Sequence, residues 1–208
     1  MKILLIYTGG TIGMVHDSES NAYVPFDFEN LQAQIPELQQ LDCTLEVQSY
    51  EPSIDSSNMQ PKIWVQLAET IEKSYKAYDG FVILHGSDTM AFTASALSFM
   101  LENLNKPVIL TGSQLPSGVP RTDAKENLIT AIEIASSYRD GVPEVPEVAV
   151  YFEYQLYRGN RTHKAMQIIL RLLFLLIIRH WLKPASTSSL TEDTVEKPAM
   201  RLCRCILR

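Results

Sequence analysis

The 208-residue sequence predicts the α/β class, with a doubly wound, mostly parallel sheet and helices on both of its faces. Three observations indicate this class. Short apolar runs recur along the chain, segments with apolar residues at helical spacing separate them, and small polar residues follow each of the first four runs.

Five runs are predicted as the strands of this sheet. The first is the uninterrupted apolar run from Ile3 to Ile6, which stops before the paired glycines Gly9 and Gly10. Paired glycines let the backbone turn sharply and approach a ligand closely. The other predicted strands cover residues 45–50, 81–84, 107–110 and 147–152.

Four segments between the strands are predicted as helices from the spacing of their apolar residues. They cover residues 29–41, the stretch from Pro61 to Tyr78, residues 91–104, and a segment that begins at Asp123. Pro61 suits the first turn of a helix, and Asp123 with Glu126 has the spacing of a capping box.

Small hydroxyl, amide and carboxylate side chains follow the first four predicted strands. They are Thr8 and Thr11, then residues 55–58, then His85, Ser87, Asp88 and Thr89, and then Thr111, Ser113 and Gln114. Because the carboxyl ends of parallel strands meet at one edge of a sheet, these residues predict a site for a small polar ligand there. Lys164, beyond the fifth strand, is expected at the same edge.

Composition limits the partners. A net charge of −6 argues against nucleic acid, which needs a basic face. Cys43, Cys203 and Cys205 are too few and too unevenly placed for a disulfide framework or a four-ligand zinc site, so a reducing compartment is expected. The sequence begins directly with a strand, so no secretory signal is expected. The apolar residues 168–178 are too few to span a bilayer, and no membrane partner is expected.

The polar groups of the predicted edge suit nucleophilic catalysis. A hydroxyl is a poor nucleophile without a neighbouring base, and a lysine oriented by a carboxylate can serve as that base. Thr11 with Asp88 and Lys164 would form such a relay. The sequence contains no G-x-S-x-G elbow, and its first turn fits neither a dinucleotide nor a triphosphate motif. By itself, however, that turn also fits a structural loop whose threonine caps a helix.

Six segments together carry a family resemblance. They are YTGGTIG at 7–13, DSSNM at 55–59, LHGSDTM at 84–90, ILTGSQLP at 109–116, RTDAKEN at 121–127 and RGNRT at 158–162. In this order they resemble the bacterial L-asparaginases of the cytoplasmic type I branch. The resemblance implies hydrolysis of L-asparagine to L-aspartate and ammonia by a homo-oligomer, with no metal or organic cofactor.

The resemblance also implies roles for catalytic residues. Thr11 would be the nucleophile, assisted by Tyr23 on a mobile loop. Ser87, Asp88 and Lys164 would form the second catalytic group, with Ser87 where the family usually has threonine. His85 is expected to be a structural histidine, because the family does not use it as a base.

The same resemblance implies how substrate is held. Asp88, beside Ser87, would bind the α-amino group, and Ser56 with Ser57 would bind the α-carboxylate. Backbone amides of the first and third turns would polarise the side-chain amide, which is a common electrostatic device in acyl transfer.

The resemblance covers residues 1–166, and residues 167–208 are predicted to be a tail unlike the family's second, smaller α/β domain. Residues 1–167 contain 11 basic and 21 acidic residues, whereas residues 168–208 contain 7 and 3, and no glycine follows Asn160. A frameshifted or truncated reading frame is the hypothesis for this tail.

Because family sites are built across subunits with that second domain, little or no activity is expected from this chain. Two alternative functions remain open. One is a non-catalytic remnant that binds a small amino acid. The other is an ammonia-producing subunit of a tRNA-dependent amidotransferase, a class expected to carry an additional N-terminal domain.

Overall fold

The computed structural model describes residues 1–17, 22–25, 35–117, 119–164, 173–174 and 200–203. Within these residues the strands are, in chain order, β1 (Lys2–Tyr7), β2 (Met14–Asp17), β3 (Ala22–Pro25), β4 (Thr44–Ser49), β5 (Gly80–Leu84), β6 (Leu101–Glu102), β7 (Val108–Thr111), β8 (Tyr138–Arg139), β9 (Val142–Pro143), β10 (Val148–Phe152), β11 (Gln155–Arg158), β12 (His163–Lys164), β13 (Leu173–Phe174) and β14 (Arg201–Leu202). The α-helices of the described residues are α1 (Pro61–Ser74), α2 (Met90–Met100) and α3 (Ala124–Ser136).

Six strands form the main sheet, in the order β11-β10-β7-β5-β1-β4. All neighbouring pairs are parallel except β10 with β11. The register aligns the strand ends, because Tyr7 lies opposite both Ser49 and Leu84, and Leu84 lies opposite Thr111. The turns that leave β1, β4, β5 and β7 therefore start side by side, and the predicted α/β class is confirmed.

Two apolar cores lie on opposite faces of the sheet. Leu4 and Ile6 of β1 pack with α1 and α2, whereas Ile3 and Leu5 pack with α3. This alternation along one strand, with all four side chains at most 3% exposed, is what a sheet with helices on both faces requires.

The sixth strand, β11, was not predicted from the sequence. Its four residues, QLYR, include two polar side chains and so form no long apolar run, and only Tyr157 among them is buried. The turn that joins it to β10 places Glu153 and Tyr154 at φ +49° and +63°, a conformation that usually selects glycine or asparagine. Both of the usual sequence signals for a hairpin are therefore missing.

Three of the four predicted helices are found at their expected positions, and two of these differ at their ends. α1 ends at Ser74 rather than Tyr78, and α2 ends at Met100 because residues 101–102 form β6. Of the helix predicted over 29–41, residues 29–34 lie outside the described part, and Pro36–Gln40 is a short 3-10 helix.

α3 begins at Ala124 as predicted, but the capping box does not form. The Asp123 side chain makes no hydrogen bond to the helix backbone. Its carboxylate binds the turn after β7 instead.

Only two short pieces of the predicted tail are described. β13 pairs with β12, and β14 pairs antiparallel with β6, where the Cys203 N–H donates to the Met100 carbonyl at 2.8 Å. Leu202 also packs against the core on the α1 and α2 side. The rest of residues 167–208 lies outside the described residues, so the unlike character of the tail stays a prediction. None of the helices described is long and apolar enough to cross a membrane.

Candidate active site

Glycines bring the turns after β1, β4 and β5 into direct contact. Gly10 has φ +92°, and a Cβ added there would lie 2.7 Å from the Gly86 Cα. A Cβ on Gly86 would in turn overlap the Ser56 side chain, and one on Gly9 would overlap the Ile54 carbonyl. Any side chain at these glycines would therefore force the three turns apart.

The Thr11 hydroxyl is held by the turn after β7. Thr11 begins the short 3-10 turn Thr11–Gly13 and is half-buried. Its Oγ1 donates to the Ser113 carbonyl oxygen at 2.6 Å and lies 3.3 Å from the Ser113 hydroxyl, which itself donates to the Leu115 carbonyl. The predicted nucleophile therefore has a fixed side-chain orientation.

Lys164 and Asp88 form an ion pair at the same edge. The Lys164 Nζ donates to Asp88 Oδ1 at 2.7 Å, and the lysine side chain is 17% exposed while that of Asp88 is 59% exposed. The second carboxylate oxygen lies 3.5 Å from the Ser56 hydroxyl, a long hydrogen bond. Ser87 is half-buried, and its hydroxyl has no hydrogen-bond partner among the residues that the structure describes.

Ser56 and Ser57 lie on the short 3-10 turn Ser56–Asn58 and differ in burial. Ser56 is 4% exposed, and its carbonyl accepts the Thr89 hydroxyl at 2.7 Å, while Ser57 is exposed. The Asp55 carboxylate accepts the Ser57 N–H at 2.9 Å, and this hydrogen bond lowers the pKa of Asp55. The second turn is thus fixed on both sides of Ser56.

Tyr23 lies on β3, opposite His16 of β2 in a two-stranded hairpin that follows the Thr11–Gly13 turn. The structure describes the backbone of Tyr23 but not its side chain. Assistance of Thr11 by Tyr23 therefore stays a prediction that rests on the resemblance.

His85 is structural, as expected. Its ring is fully buried, Nδ1–H donates to the Gly86 carbonyl at 2.7 Å, and Nε2 accepts the Thr93 hydroxyl at 2.9 Å. The Thr93 oxygen accepts the Trp64 Nε1–H in turn. Burial lowers the pKa of His85 to about 4, so the imidazole is neutral at pH 7.

Two other polar residues of the predicted edge are also structural. The Thr8 and Thr111 hydroxyls donate to the carbonyls of Leu84 and Tyr151, both at 2.9 Å, and neither side chain is more than 1% exposed. They join neighbouring strands and are closed to a ligand.

The residues that hold the fourth turn, the one after β7, were not predicted from the sequence. The Asp123 carboxylate accepts the N–H groups of Gln114 and Leu115 and the Asn127 side-chain amide, at 3.0–3.1 Å. Asn127 also donates to the Gly112 carbonyl at 2.9 Å. The available signal was the motif at 121–127, which was interpreted as the start of a helix.

The described residues contain no cluster of three or more histidine, cysteine, aspartate or glutamate side chains that could hold a metal ion. The polar groups placed at this edge of the sheet are hydroxyls, a carboxylate and an ammonium group, which can together orient a nucleophile and move protons.

Together the parallel sheet and its clustered turns define an α/β protein with a candidate small-ligand site at the carboxyl edge of its strands. Residues 2–167 match the family model described as "Asparaginase, N-terminal". The chain belongs to the asparaginase family, which confirms the resemblance carried by the six motifs.

Relatives agree with this assignment. The chain is 48% identical over 165 residues to L-asparaginase 1 of Escherichia coli strain K12, and the match covers 79% of this chain and 47% of that protein. It is 42% identical over 176 residues to one subunit of the glutamyl-tRNA(Gln) amidotransferase of Pyrococcus abyssi, and that match covers 78% of this chain and 37% of the relative. The chain thus spans about half the length of the first relative, and less of the second.

Among solved structures, L-asparaginase I from Vibrio cholerae superposes with a TM-score of 0.70 at 44% sequence identity. The match covers 80% of this chain and 48% of the other. The similarity therefore includes the sheet and the turns described above.

Proposed function

We propose that this chain carries the catalytic half-site of an amidohydrolase that converts L-asparagine and water to L-aspartate and ammonia. The observation that carries the proposal is the joint placement of an oriented Thr11 hydroxyl and a Lys164–Asp88 ion pair at one sheet edge. Family membership and the relatives named L-asparaginase support the same substrate.

Thr11 acts as the nucleophile in this proposal. Its Oγ1 attacks the side-chain carbonyl carbon of asparagine, and the C–N bond breaks as the nitrogen takes a proton and leaves as ammonia. Water then hydrolyses the threonine ester, which releases aspartate and restores the hydroxyl. Ser87, Asp88 and Lys164 form the proton-handling group, and Tyr23 assists Thr11.

Substrate binding uses the turns after β4 and β5. Asp88 offers its exposed carboxylate to the α-ammonium group, and the Ser56 hydroxyl, 3.5 Å from that carboxylate, lies within reach of the adjoining α-carboxylate. Ser57, the next residue and exposed, completes the carboxylate site, and Ser87 contacts the substrate from the third turn. Both charged ends of an amino acid thus have polar partners a few ångströms apart.

We also place the protein in the cytoplasm as a homo-oligomer. Cys43 is a free thiol in the described residues, which fits a reducing compartment. The oligomeric state follows from the resemblance to type I asparaginases.

Ammonia release from L-asparagine by the purified full chain tests the proposal. Thr11→Ala should remove release, because no other hydroxyl replaces the nucleophile, whereas Thr130→Ala, a threonine near the surface of α3, should keep it. Release that persists in Thr11→Ala would contradict the role of Thr11. A folded wild-type chain that releases none would contradict catalysis by this chain.

Two alternatives give other outcomes in the same assay. A non-catalytic remnant would bind L-aspartate in calorimetry without releasing ammonia. Similarity to the amidotransferase subunit of Pyrococcus abyssi supports a second candidate, an ammonia-producing subunit. Such a subunit would release ammonia from L-asparagine only after its partner subunit and charged tRNA are added, whereas an asparaginase needs neither.

A further inference from the structure

The peptide group between Ser113 and Gln114 connects a carboxylate to the proposed nucleophile. Its N–H end donates to both Asp123 oxygens, at 3.0 and 3.1 Å. Its C=O end accepts the Thr11 hydroxyl at 2.6 Å. The C=O and N–H of a trans peptide point in opposite directions, so the carboxylate that fixes the N–H also aims the carbonyl at Thr11.

We infer that Asp123 is a positioning residue for Thr11 and acts through this one peptide group; the inference rests on the proposed function. A carboxylate on the N–H polarises the peptide and makes the Ser113 carbonyl a stronger acceptor. The Thr11 hydroxyl is thereby held in one rotamer. Asp123 takes no proton from Thr11, because a backbone carbonyl lies between them.

Neighbouring contacts make this arrangement rigid. Asp123 also accepts the Leu115 N–H at 3.1 Å, and Asn127 holds the preceding peptide through the Gly112 carbonyl. Asn127 in turn donates to Asp123 at 3.0 Å and is only 2% exposed. The first turn of α3 therefore fixes successive peptides of the turn that receives Thr11.

The decisive variant is Asp123→Asn, which removes the charge and turns one acceptor oxygen into a donor facing N–H groups. We expect kcat for ammonia release to fall about 10- to 100-fold with KM changed less than about threefold, because misorienting a nucleophile impairs chemistry more than binding. Glu126→Gln is the matched control. This variant also removes one negative charge from the first turn of α3. The Glu126 carboxylate accepts the Thr130 hydroxyl rather than an N–H of the turn after β7, so kcat and KM of Glu126→Gln should match those of the wild type.

A second readout does not depend on turnover. In full chains with ¹³C-labelled threonine methyl groups, the Thr11 signal is assigned by its loss in Thr11→Ser. Asp123→Asn should shift or broaden that signal while leaving the Thr93 signal of the buried core in place, and Glu126→Gln should change neither. If Asp123→Asn does not fold, Asp123→Glu, which keeps the charge but moves the carboxylate, should shift the Thr11 signal in its place.

The outcomes separate the two hypotheses. A folded wild-type chain without ammonia release contradicts the proposed function, yet the Thr11 signal still tests the role of Asp123. A Thr11 signal that stays unchanged in folded Asp123→Asn, or a kcat equal to that of Glu126→Gln, overturns the role of Asp123.

Discussion

The glycines of the first turn show how single residues set the site. Gly10 and Gly141 both have positive φ, +92° and +77°, but only Gly10 faces another backbone, since a Cβ on Gly141 would meet nothing within 4 Å. The motif at 7–13 predicted a tight turn, and this was correct. The backbone that lies against Gly10 is that of Gly86, which is distant in sequence, and turn propensity could not predict this contact.

We expect Gly10→Ala to cost much more stability than Gly141→Ala. Gly141→Ala, the control, should lower the free energy of unfolding by about 1–2 kcal/mol, the cost of a left-handed backbone at a residue with a side chain. Gly10→Ala adds overlap with Gly86 and should lower it by at least about 2 kcal/mol more. Urea unfolding of both variants measures the difference. Equal costs would show that the turns can separate freely.

His85 should give the protein a distinct pH dependence. Its pKa is about 4 in the folded chain and 6.5 as a free histidine, so the unfolded chain binds one more proton between these values. The free energy of unfolding should therefore decrease as pH falls from 6.5 to 4, by up to ~1.4 kcal/mol per pH unit from this group.

Comparing variants isolates this contribution from that of the carboxyl groups. His85→Asn should lose the His85 part of the slope, although the variant is less stable throughout. His163→Asn, which removes an exposed histidine outside this buried site, is the control variant. A wild-type slope in folded His85→Asn would contradict burial of a neutral imidazole.

At the scale of elements, α1 and α2 are joined by a polar chain inside an apolar core. Trp64 of α1 donates to Thr93 of α2, whose hydroxyl donates to His85 after β5. Trp64 is partly buried, and the apolar spacing that predicted α1 gave no sign of its polar partner. Apolar spacing reports which face is inside, whereas polar partners depend on how two helices cross.

Thr93→Val should destabilise the fold by about 2–4 kcal/mol, because it leaves the Trp64 N–H and the His85 Nε2 buried without partners. Thr70→Val on α1 is the control. The Thr70 hydroxyl donates to the Gln66 carbonyl and makes only a long 3.4 Å contact with the Tyr50 hydroxyl, so the cost should stay within about 0.5 kcal/mol. Thermal and urea unfolding compare them. If Thr93→Val lowered the free energy of unfolding no more than Thr70→Val, the hydrogen bonds among Trp64, Thr93 and His85 would not stabilise the fold as predicted.

Across the whole molecule, the sequence predicted the sheet, its two cores and the edge that carries the site. Lys164 was expected at that edge, and the structure places it against Asp88. The path of the chain from β10 to Lys164 could not be predicted from the sequence. β11 returns antiparallel, and Gly159 then packs so closely on α2 that a Cβ would lie 2.8 Å from the Ser98 hydroxyl.

Two phenyl rings leave an apolar surface on α2. Phe92 and Phe99 are 65% and 60% exposed and lie seven residues apart, on one face of the helix. Changing both to serine should reduce self-association in sedimentation experiments, because exposed apolar patches promote contact between molecules. Tyr154→Ser, at a hairpin turn and 80% exposed, is the control and should sediment like wild type. Unchanged sedimentation of the double variant would contradict the prediction.

The ion pair between Lys164 and Asp88 has a consequence for synthesis on the ribosome. Translation makes the Thr11 hydroxyl before β4, β5, β7, β10 and β11, and the Lys164 ammonium after all of them. A nascent chain can therefore contain the proposed nucleophile and both proposed substrate-binding serines before its lysine is made. The emerging polypeptide gains its full set of proposed catalytic groups in a single late step, when the segment after β11 crosses α2.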